Sequence, residues 1–135
     1  GSLVSDQGVL GLLGPELKRV GAYKNEFILD GSPRSIGQAQ WLIDKIKAGE
    51  VKFTAIIYLK VPKQMVVERL MKRGRADDKP DIIRHRLDEY ALVTTPVLDY
   101  LRQAGYGVDV VDGSPLPDEV EKSIRRVIEA KNASR

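Results

Sequence analysis

The 135-residue sequence has no cysteine, one histidine (His85), one tryptophan, and no apolar run approaching the ~18–20 residues of a membrane span. Without thiols there is no disulfide framework, no thiolate metal site and no cysteine nucleophile. His85 has no triad or metal-ligand spacing beside it and reads as a helix-surface residue. The opening residues do not read as a secretory leader, and Gly1-Ser2 reads as a cloning scar. A reducing cytoplasm is the expected setting, with no membrane partner. Internal repeats and low-complexity stretches are also missing.

The residues present describe an ordinary globular domain. Apolar residues make up 42% and charged residues 30% of the chain, enough for one core at this length. The net charge is +3 and the sequence pI is near 9.2. Lys and Arg are spread along the chain among 19 acids, with no basic run and no aromatic interleaving, so a nucleic-acid surface is not expected. Arginines recurring at a few fixed spacings fit small anions such as nucleotide phosphates better.

Hydrophobic periodicity predicts a helix over residues 5–20, with Ser5 or Asp6 as cap and a kink or break at Gly14-Pro15. A short apolar strand is predicted at 26–30, a helix at 36–47, and a β-rich strand at 54–61 of the kind buried on both faces. Pro62 opens a helix running to about Arg73. Asp78 is placed to cap a long helix starting at Lys79-Pro80, which Pro96 should kink or split. A strand at 107–111, a turn at 112–115 and a helix from Pro117, burying Val120, Ile124, Val127 and Ile128, complete the chain. Strands alternating with helices imply a parallel sheet in a three-layer α/β architecture.

The most specific segment is EFILDGSPR at residues 26–34, followed by Gln38-Ala39. An acid ends an apolar strand and a Gly-x-Pro-Arg turn follows, at the sheet edge where phosphorylated ligands bind in open α/β folds. Asp30 can cap a helix or hold magnesium through water. Gly31 lets a ligand approach the backbone, and Arg34 can fork a phosphate. The Gln38 amide can read a base edge or be solvated. Arg69 and Arg73 share a helix face, and Arg75 follows the helix-stopping Gly74. Such like charges are a solvated face or an anion site. Of Arg84 and Arg86, two residues apart, at most one aims at the same anion.

These motifs, in this order, resemble the adenylate kinase family, whose signature LDGFPR is followed by QA. The resemblance runs from Leu3 to about Ala130 and covers the carboxyl-terminal two-thirds or more of a bacterial, short-lid member. It implies the three-layer parallel sheet of the P-loop nucleoside monophosphate kinases and a core at residues 3–130, with 74–78 as a short lid connection. It implies Mg-dependent transfer between ATP and AMP. Leu3, Val4, Gly31, Ser32, Pro33, Arg34 and Gln38 match AMP-binding positions. Arg69 and Arg73 match residues at the ATP base and phosphates, and Gly113, Ser114 and Pro115 match the turn beside its adenine. Arg75 and Arg86 match the pair that clamps phosphates, and Asp30 would place Mg2+ through water.

Three departures accompany the resemblance. Ser32 stands where the family has Phe or Tyr, which loosens the AMP site. Gly14-Pro15 interrupts a helix that normally continues. No G-x-x-x-x-G-K-[ST] occurs in the chain, so the loop whose amides and lysine cradle ATP phosphates is missing. The family's first strand, central in its sheet, is missing with it. The expectation is therefore a chain inactive by itself, completed by a further segment or a dimer partner. The alternatives are a non-catalytic AMP-binding remnant, or a kinase for UMP or CMP.

Overall fold

The computed structural model describes residues 6–22, 24–76 and 78–133. The chain divides into two compact units, Gly1–Phe53 and Thr54–Arg135.

The first unit is built on α1 (Asp6–Arg19) and α2 (Ile36–Lys47). Leu17, Ala22 and Val51 form its buried centre, with Leu13, Val20, Phe27, Trp41 and Ile46 packed against them. The expected break in α1 does not occur, and the helix continues through Pro15. Proline removes the bond to the carbonyl four residues back and crowds the residue before it. Here that carbonyl belongs to exposed Gly11, and the preceding Gly14 has no Cβ to crowd. Helix α2 starts where its cap dictates, because Ser35 Oγ accepts the Gln38 N–H at 3.1 Å. It buries Gln38, Ala39 and Ile43.

Residues 26–30 do not form the expected strand. A strand exists only within a ladder, and no strand among the described residues pairs with this one. Its composition is right for β structure, but Ile28 remains 87% exposed.

The second unit holds a parallel pair, β1 (Ile56–Lys60) and β2 (Val108–Asp112), in register from Ile56 opposite Val108 to Lys60 opposite Asp112. Parallel neighbours need a long crossover; α3 (Lys63–Arg73) and α4 (Pro80–Gln103) supply it, and α5 (Pro117–Ala133) follows β2. Val67 of α3, Ile83, Val97 and Leu101 of α4, and Val111 of β2 form the buried apolar set. The α4 helix is not split at Pro96. The bond lost there would run to Leu92, which is 78% exposed, so the defect lies on the solvent face. Helix α5 packs on β2. Val120, Ile124, Val127 and Ile128 are half-buried rather than buried, because a two-stranded sheet offers little surface to cover them. The observed architecture is α/β with a small parallel sheet.

Candidate functional site

In the first unit, the turn after residues 26–30 is organised by three residues. Gly31 has φ +78°, the left-handed region that glycine adopts freely. A Cβ at Gly31 would come within 2.9 Å of Arg34 Nη2, so the Arg34 guanidinium folds over the glycine. The Ser32–Pro33 peptide is cis. Gln38 Oε1 accepts the Arg34 backbone N–H at 2.8 Å and the Ser32 hydroxyl at 3.3 Å. The carboxamide expected to face a base is thus engaged with its own loop, and Gln38 is only 5% exposed.

That loop presents backbone and a guanidinium at one surface, a combination suited to an anion. Asp30 is exposed beside it. Among the described residues, no group of three or more His, Asp or Glu side chains could chelate a metal. Mg2+ commonly keeps several waters and takes one or two carboxylates plus substrate phosphates. An exposed lone carboxylate fits that outer-sphere role. Leu3 and Val4 lie outside the described residues.

In the second unit, Arg69 reaches from α3 to the turn after β2. Its guanidinium donates to the carbonyls of Gly113 at 3.1 Å, Ser114 at 2.8 Å and Pro115 at 3.4 Å. Gly113 is buried and its N–H donates to Lys60 O at 2.9 Å, tying the turn to β1. Asp112 sharpens the turn by accepting the Ser114 N–H and hydroxyl at 2.9 and 2.6 Å. Those hydrogen bonds hold its carboxyl below the usual range.

Arg73 lies one helical turn beyond Arg69. Its Nε and Nη2 donate to the two Asp78 oxygens at 2.9 and 2.7 Å, a bidentate fork. The Asp78 side chain is 1% exposed, and its Oδ2 also accepts the Arg75 N–H at 3.3 Å. Asp78 therefore does not cap α4; Lys79 occupies the cap without a side-chain bond. The left-handed Gly74 ends α3 and turns the chain back, so the carboxylate meets the last turn of α3 before α4 begins. The Arg73 hydrogen bonds hold its carboxyl below the ordinary range, with Coulomb attraction and the Arg75 amide adding to them. Arg75 and Arg86 are both exposed. His85 is an exposed helix residue paired with Glu89 at 3.0 Å.

A family model described as adenylate kinase matches residues 1–106. The chain is 33% identical to the adenylate kinase of Nitrobacter winogradskyi over 138 residues, covering 95% of this chain and 66% of that protein. It is 41% identical to adenylate kinase 1 of Synechocystis over 111 residues, covering 81% and 59%. It is 39% identical to the adenylate kinase of Xylella fastidiosa over 128 residues, covering 92% and 67%. The chain belongs to the adenylate kinase family. It spans 59% to 67% of the length of these three adenylate kinases.

Two features of this adenylate kinase family chain escaped sequence reasoning. The Asp78 clamp on Arg73 was hidden because an acid before a helix reads first as its cap. The inward set of Gln38 had a signal, the Ser35-x-x-Gln38 spacing of a capping box, in which the third helical residue reaches back to a backbone N–H. Here it reaches one residue further, to Arg34.

Proposed function

We propose that the intact protein catalyses the Mg-dependent reversible transfer ATP + AMP to 2 ADP. The reading takes residues 3–130 as an adenylate kinase core, with 74–78 as a short lid connection. Its sheet is the three-layer parallel type, whose first, phosphate-loop strand is not contained in this chain. A complementing segment or dimer partner would supply that strand, in a cytoplasmic protein.

The observation that carries this reading is Arg69 spanning the 113–115 turn, 44 to 46 residues away in sequence. It joins the two segments that the family resemblance assigns to the ATP base. Phosphoryl transfer needs positioning and charge stabilisation more than a nucleophilic side chain, which suits a chain without cysteine. Leu3, Val4, Gly31, Ser32, Pro33, Arg34 and Gln38 form the AMP side. Gly31 admits the ligand to the backbone, Arg34 forks the phosphate, and Gln38 holds the loop's shape. Arg69 and the Gly113–Ser114–Pro115 carbonyls frame the ATP base. Arg73 meets the ATP phosphates, which must replace Asp78 as its partner, and Arg75 and Arg86 neutralise the transferring group. Asp30 would hold Mg2+ through water, and the ion would neutralise phosphate charge. In a protein completed with the phosphate-loop segment, Arg73→Ala or Arg86→Ala should lower kcat more than tenfold, ~1.4 kcal/mol. A smaller loss removes those roles.

One observation favours a second reading. On that reading the chain, with no G-x-x-x-x-G-K-[ST] in its 135 residues, binds AMP and does not turn it over. ADP formation by the completed protein and its absence with the chain alone separate a kinase core from a binding remnant.

A further inference from the structure

A carboxamide oxygen has two lone pairs. In Gln38 both are directed to the loop itself, one to the Arg34 N–H at 2.8 Å and one to the Ser32 hydroxyl at 3.3 Å. The orientation is not interchangeable. A backbone N–H faces the group, so turning the amide over would set two donors against each other. The origin of the side chain is fixed as well, since the Gln38 N–H is held on Ser35 Oγ at 3.1 Å. Gln38 is only 5% exposed, and while both hydrogen bonds stand its oxygen has no lone pair left for a ligand.

A carboxamide selects adenine by accepting from the exocyclic amine while donating to a ring nitrogen. The accepting half of that pair is already used here. The serine hydroxyl is this chain's own feature, at a position where the family resemblance places Phe or Tyr.

We propose that the Ser32 hydroxyl and the Arg34 amide remove Gln38 as a reader of the 6-amino group, so that the acceptor site takes 6-oxopurine nucleoside monophosphates alongside AMP. This rests on the reading of residues 31–38 as the AMP side. Sites built to hydrogen-bond one polar group reject an analogue lacking it by large factors; this site has lost the acceptor that would do so. Ser32 is thus a specificity-determining residue acting through Gln38.

The test is titration of the full chain with AMP and with inosine 5′-monophosphate, which differs from AMP at the 6-position and the N1 proton. The backbone amide signals of Gly31, Arg34 and Gln38 are followed by nitrogen-15 NMR. The expected affinities lie within about threefold of each other, below the ~tenfold that one hydrogen bond can contribute. Ser32→Ala returns a lone pair to Gln38 and should shift the ratio toward AMP by about three- to tenfold. Ser32→Thr keeps the hydroxyl and should keep the original ratio, which separates the hydroxyl from any disturbance of the loop. AMP bound more than about 30-fold tighter by the unchanged chain, or a ratio unmoved by Ser32→Ala, overturns the proposal and leaves the AMP site standing. Signals that move with neither nucleotide overturn the AMP site and the proposal together.

Discussion

Asp78 and Gly113 show how single residues set the geometry around the arginines. Asp78 is ionised below its ordinary range because Arg73 donates two hydrogen bonds to it. A carboxyl with a lowered folded-state pKa binds fewer protons than its unfolded form, so it adds stability above the unfolded value near 3.8. That contribution is lost as pH falls through the lower folded value. Asp78→Asn should therefore flatten the acid dependence of the second unit as pH falls through and below the unfolded value near 3.8. Amide exchange at Leu101, in that unit's core, reads it; an unchanged slope would remove Asp78 as a source. Gly113 meets a different constraint. A Cβ there would lie 2.7 Å from Val61 Cγ2, and a β-branched valine has little room to turn. Gly113→Ala should destabilise the unit by ~1–3 kcal/mol, measured by urea unfolding.

At the scale of elements, α2 shows a local rule deciding a boundary. Ser35 caps it, and Ser35→Ala should lower stability of the first unit by ~0.5–2 kcal/mol, read from the Trp41 fluorescence transition. The bounds of α2 and the start of α5 at Pro117 were legible in the sequence, since caps, prolines and apolar spacing act within a few residues. Both strands of the parallel pair were legible to within two residues for the same reason. Residues 26–30 were not. Their apolar pattern specifies β preference, but pairing depends on a neighbour the pattern does not contain. The breaks expected at Pro15 and Pro96 do not occur, because their cost depends on whether the orphaned carbonyl faces water, which is a tertiary fact.

For the whole molecule, the family was legible because its motifs keep their order and spacing across both units. Pairing between distant residues was partly so: Arg69 and the 113–115 turn were both singled out, but their hydrogen bonds span 44 to 46 residues. The set of the Gln38 oxygen was not legible, since it depends on a turn only three dimensions reveal. The central proposal is that these residues serve phosphoryl transfer and need a phosphate cradle that this chain does not contain. Phosphorus NMR of the purified chain with ATP, AMP and Mg2+ tests it most directly. The proposed mechanism predicts no ADP from the chain alone, and ADP once a segment carrying G-x-x-x-x-G-K-[ST] and its strand is added. ADP from the chain alone, or none after the addition, would contradict it.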